Sequence, residues 1–525
     1  MSRLIVKNTC IVIDDYELGS CQALERNFMV WDPITHKMNV LGMYYDSNHR
    51  RLIIPRGLDI WKVKNWLGIK YHESEAPNKY KDTSMIKMKM KPRDATQEEA
   101  LRFMIGLDQY EENQYQPQLS VNLNTGKGKT YCSVATISYF RLKSIVITGT
   151  NTLLSQWKDD IKEYTTLKDK DIMFLSSETM NMILLGKATK AASADIFLCS
   201  HGTIRSFCDQ YGWDKLNEVF IKLGIGLKFI DEAHTNFANM LMIDFFTNVY
   251  KTYYVTATPA RSNWQEKKIF SLTLKNVPDI DLFDPEKDPH TDYIAIKWNS
   301  HPSPRDISFC RNAYGLDRNK YINYVTQNPY FYQMMYVIMD MFLKQNGRGL
   351  IYIGTNNGIL RVYKWICDNY PQLAGQVGIY TSLLDKERKL QEKGKRLLLT
   401  TTKSAGLGED IKGLKIAFLV AEPFKSEVLT RQALGRLRDK DTMFVELVDM
   451  GFRHIMKYYY HKIPVLNKYA LSVNDTVMDT YELRNRSERL QEKQQQKVDN
   501  CPFTFVDTRF FDSNGNRIIE VDEDQ

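Results

Sequence analysis

Two long stretches of this sequence alternate short apolar runs, rich in β-branched residues, with runs that have helical spacing. The first contains SIVITGT, DIFLCSH, LKFIDEAH and TYYVTATPA, and the second contains GLIYIGT, QVGIYTS, RLLLTTT, IAFLVAE and MFVELVD. Strands that alternate with helices are typical of a parallel sheet covered by helices. Because 525 residues are also too many for one core, the sequence predicts two α/β domains in tandem.

The regions outside these stretches predict smaller elements. Residues 1–88 predict a β-rich module, because short apolar runs such as NFMVWDP and RRLIIPRG are separated by turn residues. A run rich in Pro and Asp, NVPDIDLFDPEKDPHTD, separates a first α/β domain at 89–280 from a second at 281–475. Residues 476–525 predict a polar helix, a hairpin around Asn514-Gly515 and an acidic end. This C-terminal extension is a candidate docking segment for a protein partner.

Composition is that of a globular protein of the cell interior. Hydrophobic residues make up 43% of the chain and charged residues 26%, as in ordinary soluble domains. We find no apolar run near the roughly 20 residues that span a bilayer, and no signal-peptide pattern at the N-terminus. The eight cysteines form no CxxC pair, so we expect reduced thiols and a cytoplasmic location. From the short apolar runs we also expect no membrane partner. The net charge of +8 permits binding to a polyanion.

The stretch VNLNTGKGKTYC predicts a phosphate-binding loop between a strand-like run and a helical run. Gly126 and Gly128 allow the backbone to turn its N–H groups toward phosphate oxygens, and the helix N-terminus adds its dipole. Lys129 is expected to reach the β- and γ-phosphates, and the Thr130 hydroxyl to hold Mg²⁺. The first glycine of the GxxxxGK[ST] pattern is replaced by Leu123, and a surface turn is the alternative interpretation. The residues expected to contact the nucleotide here are Thr125, Gly126, Lys127, Gly128, Lys129 and Thr130.

The run LKFIDEAH ends a predicted strand on two adjacent carboxylates. An aspartate at this place in ATPases with such a loop holds the metal, directly or through water, and we assign that role to Asp231. Its neighbour Glu232 is suited to orient the attacking water or to take its proton. Such a pair argues against a small-molecule kinase, whose acceptor is not water. The alternative is a helix start with acidic residues in its first turn.

These residues, with further segments in the same order, resemble the superfamily 2 helicases. TQEEALRFM is similar to the segment that reads adenine, here through Gln97. TNTLLSQWKDDI and DIFLCSHGTI resemble two nucleic-acid-contacting motifs, and VTATPAR resembles the motif that couples hydrolysis to domain movement. LIYIGTNNG, LLLTTTKSAGLGEDIKGL and RQALGRLRD resemble motifs IV, V and VI. The resemblance covers roughly residues 96–451 and implies two RecA-like domains that bind ATP between them, with Mg²⁺ as cofactor.

The resemblance also implies roles for single residues. Coupling is assigned to His234, Thr256, Ala257 and Thr258, nucleotide binding in motif V to Gly408 and Asp410, and catalysis to Gln432, Arg436 and Arg438. Arg436 is the expected arginine finger, which stabilises charge on the transferred γ-phosphoryl group. Arg438 stands one place earlier than the usual second arginine, because Asp439 occupies that position. Either it reaches the phosphate through a local shift of the helix, or it forms a surface ion pair.

Contacts to the nucleic-acid strand are expected from hydroxyls that follow predicted strands. Open α/β sheets bind ligands at the carboxyl ends of their strands, and sequence-tolerant binding relies on phosphate contacts. The candidates are Thr150, Ser200, Thr355 and Thr402, and for each the alternative is a loop cap. The N-terminal module is a second candidate DNA-binding surface, whereas the alternative is that its aromatic residues form a small core. Its basic and aromatic residues are Trp31, Tyr44, Tyr45, His49, Arg50 and Arg51.

The run GEDIKGLKIAFLVAEPFKSEVLTRQALGR is similar to the branch that includes UvsW, the XPB-like helicases and the type III restriction motors. This resemblance implies a DNA helicase or annealing motor of a phage or virus, with single-stranded, forked or branched DNA as its partner, in replication, recombination or repair. One alternative is an RNA helicase or transcript-release factor. A second alternative is an ATPase that remodels protein–nucleic-acid complexes without unwinding.

Overall fold

The computed structural model describes residues 3–32, 37–123, 127–233, 236–256, 264–282, 290–313, 315–381, 384–402, 404 and 411–480. The described residues form two compact units, of which the first ends at residue 282 and the second begins at residue 290. In the parts of the chain that are described, no helix combines the length and the apolar character that crossing a bilayer requires.

The first unit begins with a small mixed sheet. Its strands pair in the order β5-β6-β2-β1-β7, in which β7 joins β1 in parallel and the other pairs are antiparallel. A separate antiparallel pair is formed by β3 and β4. The elements are β1 (Arg3–Val6), β2 (Cys10–Asp14), α1 (Gln22–Glu25), β3 (Met29–Asp32), β4 (Lys37–Val40), β5 (Tyr44–Asp46), β6 (Arg51–Pro55), α2 (Ile60–Leu67) and β7 (Glu73–Ser74).

The rest of the first unit is a seven-stranded parallel sheet with helices. The strand order is β10-β11-β9-β12-β13-β8-β14, and every described pair is parallel. The central strands are buried along their whole length, as expected where helices cover both faces. The elements are α3 (Ala95–Ile105), β8 (Gln118–Asn122), α4 (Lys129–Phe140), β9 (Ser144–Thr148), α5 (Asn151–Tyr164), β10 (Ile172–Phe174), α6 (Ser177–Leu184), α7 (Thr189–Ser193), β11 (Ile196–Ser200), α8 (His201–Tyr211), α9 (Asp214–Leu223), β12 (Leu227–Asp231), α10 (Phe237–Phe245), β13 (Lys251–Thr256), α11 (Trp264–Thr273) and β14 (Asp279–Asp281).

The small sheet and the seven-stranded sheet share one hydrophobic core. Buried side chains from both belong to a single cluster, which includes Leu4, Ile11, Phe28, Ile54, Ile230, Phe237, Tyr254 and Ile269. The approach is close at Gly57, where a Cβ atom would lie 1.9 Å from the carbonyl oxygen of Thr273. The Nδ2 group of Asn8 donates a hydrogen bond to the carbonyl oxygen of Tyr250 at 2.8 Å. The boundary after residue 88 stays a prediction, and by packing the module is part of the first unit.

The second unit repeats the architecture. Its seven strands pair in the order β19-β20-β18-β21-β22-β15-β23, and all described pairs of this sheet are parallel. The elements are β15 (Thr291–Trp298), α12 (Pro304–Phe309), β16 (Arg311–Asn312), β17 (Gly315–Leu316), α13 (Arg318–Val325), α14 (Pro329–Leu343), β18 (Arg348–Ile353), α15 (Asn356–Asn369), β19 (Val377–Tyr380), α16 (Lys386–Lys393), β20 (Leu397–Thr400), β21 (Leu414–Ala421), α17 (Glu427–Leu434), β22 (Thr442–Asp449), α18 (Arg453–Tyr469) and β23 (Ser472–Val477).

Two parallel sheets of seven strands, each carrying helices, confirm the predicted fold of two RecA-like α/β domains with a small β-rich element at the N-terminus. The predicted C-terminal hairpin around Asn514-Gly515 lies outside the described residues.

Candidate functional site

The phosphate loop joins the buried strand β8 to the helix α4. Gly128 precedes the helix with φ of +90°, in the left-handed region that glycine adopts without strain. A Cβ atom there would lie 2.0 Å from Nε2 of Gln97, so this position has room only for glycine. Lys129 and Thr130 follow in the first turn of α4, where the helix dipole favours an anion. Thr125 and Gly126 lie outside the described residues, whereas Lys127 is described.

Gln97 is buried against this loop, with 4% of its surface exposed. Its backbone N–H donates to Oδ1 of Asp94 at 2.9 Å, which caps α3. Its own Oε1 accepts from the backbone N–H of Arg93 at 2.8 Å. These bonds fix the amide beside Gly128, although adenine recognition by Gln97 stays a prediction.

The two carboxylates lie at the end of β12, and they have different partners. Oε1 of Glu232 is 2.7 Å from the Nζ atom of Lys129. Asp231 accepts two hydrogen bonds, from the indole Nε1 of Trp157 to Oδ2 at 2.8 Å and from the backbone N–H of Glu232 to Oδ1 at 2.9 Å. Burial raises the pKa of Asp231, and the nearby ammonium of Lys129 opposes that rise. The structure therefore brings together three residues that the sequence predicted, and adds Trp157.

Glu232 has a backbone φ of +51°. Such a conformation is uncommon for a residue with a Cβ atom and is found where the surroundings enforce it. Here the turn directly follows a buried strand and leads to a carboxylate paired with the lysine of the loop. The strain is thus located at the residue that we expect to handle the attacking water.

The residues expected to couple the site to movement are only partly described. Thr256 is the last residue of β13, and its carbonyl oxygen accepts a hydrogen bond from the backbone N–H of Leu123 at 3.0 Å. This bond ties the end of β13 to the start of the phosphate loop. The other coupling residues and two nucleotide-binding residues lie outside the described residues, namely His234, Ala257, Thr258, Gly408 and Asp410.

Motif VI begins in the last turn of α17 in the second unit and continues beyond the end of that helix. Gln432 lies within that helix and is half-buried. Arg436 is 6% exposed, whereas Arg438 lies at the surface. The roles of all three in hydrolysis stay predictions.

Three of the hydroxyls that were predicted to contact nucleic acid also cap helices. Thr150, Ser200 and Thr355 accept hydrogen bonds from the backbone N–H groups of Leu153, Thr203 and Gly358, at the starts of α5, α8 and α15. Ser200 is the last residue of β11, and Thr150 and Thr355 each lie two residues after the end of a parallel strand. Contact of these hydroxyls with nucleic acid stays a prediction.

Thr402 is buried in a polar cluster of the second unit, and nucleic-acid contact by its hydroxyl stays a prediction. Its backbone N–H donates to Oε2 of Glu422 at 2.8 Å, and its hydroxyl donates to Oε1 of the same carboxylate. Arg318 pairs with this carboxylate too. Burial raises the pKa of Glu422, and the charge of Arg318 opposes the rise. Sequence reasoning missed Glu422, because a single glutamate after an apolar run carries no motif.

A buried histidine next to Ser200 makes stability depend on pH. His201 is 1% exposed, and neither ring nitrogen has a hydrogen-bond partner among the described residues. Burial lowers its pKa from 6.5 to about 4. The unfolded chain therefore binds an extra proton between these pH values, so stability falls as the pH falls from 6.5 toward 4. The loss is on the order of 3 kcal/mol, at about 1.4 kcal/mol for each unit of pKa.

We expect His201→Phe to remove this contribution and to flatten the pH dependence of the thermal midpoint between pH 6.5 and 4.5. The matched control is His461→Phe, at an exposed position on α18. An equal slope in the wild type and in His201→Phe would show that His201 does not carry the effect.

Comparison with known proteins found similarity to a family model and to solved structures. Residues 89–261 match the model of the family described as type III restriction enzyme, res subunit. A search of curated proteins found no match. T4 UvsW aligns over 91% of this chain and 100% of its own, with 14% identity and a TM-score of 0.35. The S. cerevisiae protein Dbp5, bound to RNA and ADP BeF3, aligns over 83% and 97%, with 13% identity and a TM-score of 0.49. The segment matched by the family model contains the phosphate loop and the two carboxylates, and residues 89–261 of this chain are therefore similar to the res subunit of type III restriction enzymes.

Proposed function

We propose that this protein is an ATP-dependent DNA helicase or translocase, which hydrolyses ATP to move on, unwind or anneal DNA. The observation that supports this most is the pairing of Lys129 with Glu232 beside Asp231, at the carboxyl end of the parallel strand β12 and at the start of the helix α4. A lysine, a buried aspartate and a water-directing glutamate are the groups that ATP hydrolysis by this class requires.

The residues present fit a magnesium nucleotide. The Thr130 hydroxyl and the Asp231 carboxylate are oxygen ligands of the kind that Mg²⁺ prefers. When bound, Mg²⁺ would neutralise charge on the phosphate oxygens. Lys129 provides a compact positive charge for the same oxygens. Glu232 then accepts the proton of the attacking water, and Arg436 is the proposed source of positive charge for the transferred group.

We propose DNA as the nucleic acid on which the protein moves. The segment from motif V to motif VI resembles the branch of UvsW, the XPB-like helicases and the restriction motors. The family matched by residues 89–261 is also named for restriction enzymes. A role in phage or viral replication, recombination or repair is part of the same proposal.

The N-terminal module offers less positive charge for DNA than its composition suggests. His49, Arg50 and Arg51 pair with Asp46, Asp15 and Asp14 respectively. The ring of Tyr44 packs edge-on against Phe246 at 5.1 Å, within the shared core. We therefore propose that the hydroxyls and helix N-termini at the sheet edges provide the main grip on the strand.

The test is steady-state ATP hydrolysis by the intact chain, without nucleic acid and with single-stranded DNA, forked DNA, duplex DNA or RNA. The salt concentration is held constant, since phosphate binding depends on it. We expect forked or single-stranded DNA to stimulate the rate strongly, and Lys129→Ala to abolish the stimulation. The matched control is Lys187→Ala, at an exposed position of the first unit.

Each other outcome decides between the alternatives. Stimulation by RNA alone would reassign the protein as an RNA helicase, because sensitivity to the 2′-OH separates the two strands. A rate that no nucleic acid changes would contradict the motor. Stimulation by DNA without strand separation or annealing would favour the remodelling ATPase.

A further inference from the structure

Trp157 is buried on α5, and its one polar group contacts the nucleotide site. Only 2% of the residue is exposed, and its Nε1–H group donates to Oδ2 of Asp231 at 2.8 Å. The two residues are 74 positions apart in the chain. An indole nitrogen can only donate a hydrogen bond, so Trp157 is the donor in this contact and Asp231 is the acceptor.

Packing holds the indole in place. Trp157 belongs to the hydrophobic cluster of the first unit, with Leu154 and Ile161 of the same helix and with Val146 and Phe229 of the sheet. The spacing of the three helical residues puts them on one face of α5. A side chain that packing already holds in one rotamer presents its N–H group at a constant position. Forming the hydrogen bond therefore costs it little further rotamer entropy.

The hydrogen bonds of Asp231 limit its rotation. Oδ1 accepts from the backbone N–H of Glu232, and Oδ2 accepts from Trp157. An ionised carboxylate has about four acceptor positions, so both oxygens keep capacity for a cation. Outer hydrogen-bond partners of this kind orient metal ligands and tune their basicity.

The helix α5 also begins at a residue that is predicted to contact nucleic acid. Thr150 caps α5 through its bond to the N–H group of Leu153, and Trp157 lies about two turns further along. Because a helix rises about 1.5 Å per residue, about 10 Å of helix separate the two positions. One rigid element therefore connects a candidate strand contact with the carboxylate expected at the metal.

We propose that Trp157 is a positioning residue, which sets the orientation of the Asp231 carboxylate for the nucleotide-bound cation and joins that carboxylate to the strand-contacting end of α5. This inference rests on the proposed function, since it assigns Asp231 to the metal. It adds a residue outside the phosphate loop and the carboxylate pair.

Two substitutions separate positioning from packing. Trp157→Phe keeps much of the apolar volume but removes the N–H donor. Trp157→His removes the six-membered ring of the indole. The Nε2 atom of the imidazole takes the place of the indole nitrogen and can still donate a hydrogen bond. Positioning predicts that the histidine variant works better than the phenylalanine variant, whereas packing alone predicts the reverse. Trp213→Phe, at a half-buried position in the same unit, is the matched control.

The main readout is the affinity for Mn²⁺ in the presence of a non-hydrolysable ATP analogue, measured by electron paramagnetic resonance at pH 8. Thermal midpoints without metal or nucleotide are measured in parallel. We expect Trp157→Phe to weaken metal binding by about 10- to 100-fold, and Trp157→His by less than about threefold, although the histidine variant unfolds at the lower temperature. DNA stimulation of ATP hydrolysis is expected to fall in the phenylalanine variant more than the basal rate does.

Metal affinities that follow the thermal midpoints, or an unchanged affinity in Trp157→Phe, would overturn the proposal. A failure of both variants to fold would also overturn it, because it would assign Trp157 to the core alone. Failure of the proposed function itself looks different. In that case the wild type would bind the Mn²⁺–nucleotide complex no better than Lys129→Ala does.

Discussion

Glu232→Gln is expected to lower the rate of ATP hydrolysis by about 100- to 10,000-fold, the usual contribution of a general base. The glutamine keeps the size and shape of the side chain but cannot accept the proton of the attacking water. Lys129 loses the negative charge of its partner at 2.7 Å, which leaves the ammonium more available to phosphate oxygens. Binding of ATP is therefore expected to be preserved or strengthened. Single-turnover hydrolysis measures the first effect, and the fluorescence of a labelled ATP analogue measures the second.

The matched control is Glu178→Gln, which makes the same chemical change at an exposed position in the first turn of α6. It should hydrolyse ATP at the wild-type rate. If Glu232→Gln retained more than a third of wild-type turnover, Glu232 would not be the base. The proton would then have to leave through another group.

Lys228→Met is expected to destabilise the first unit by about 3–5 kcal/mol, the usual cost of leaving one buried charge without its partner. The ammonium of Lys228 is fully buried, 2.5 Å from Oδ1 of Asp244 and 2.9 Å from the hydroxyl of Thr247. Oδ2 of Asp244 accepts a bond from the hydroxyl of Tyr254 at 2.7 Å. With the lysine removed, the buried carboxylate of Asp244 keeps the neutral hydroxyl of Tyr254 as a donor but has lost its positively charged partner. Urea denaturation monitored by circular dichroism measures the change.

Acidification should reduce the loss in Lys228→Met. Burial raises the pKa of Asp244, and Lys228 is the largest influence that lowers it. In the variant the folded state therefore binds a proton at a higher pH than the unfolded state does, so its stability rises as the pH falls. A deficit that stays constant from pH 8 to pH 5 would contradict this explanation.

Two controls isolate the ion pair. Replacing both partners, in Lys228→Met with Asp244→Leu, is expected to recover most of the stability, since apolar residues of similar volume often substitute for a buried pair without loss. The exposed pair of Lys344 and Asp340, with side chains 72% and 64% exposed, should contribute at most about 1 kcal/mol. Lys344→Met is therefore expected to leave the denaturation midpoint almost unchanged.

The parts of the fold that were predictable from sequence are those with local signals. The alternation of apolar runs with runs of helical spacing predicted two parallel sheets, because strands buried on both faces need continuous apolar residues. The turn at Gly128 and the start of α4 at Lys129 were predictable because a glycine directly before a helical run marks such a junction. The meeting of Lys129 with Asp231 and Glu232 followed from topology, since the carboxyl ends of parallel strands share one edge.

Contacts between distant segments were not predictable in this way. The bond between Trp157 and Asp231 joins residues 74 positions apart, and no local pattern marks either as a partner of the other. The hydrogen bond from the Thr402 hydroxyl to the buried Glu422 joins residues 20 positions apart, and no motif in the sequence marks that glutamate. The same limit applies to residues 1–88, whose composition suggested a separate module although their core is completed by helices far along the chain.

The shared core of the first unit sets an order for folding during synthesis. The hydroxyl of Thr9 donates to the carbonyl oxygen of Thr247, across 238 positions, and Gly57 packs against Thr273. At a translation rate of roughly 5–20 residues per second, the N-terminal strands therefore emerge from the ribosome roughly 10–50 seconds before the surface that covers them. Their apolar faces are exposed during that interval, when contacts of such high sequence separation cannot form. A nascent chain of this protein is thus expected to need chaperone protection until about residue 280 has left the exit tunnel.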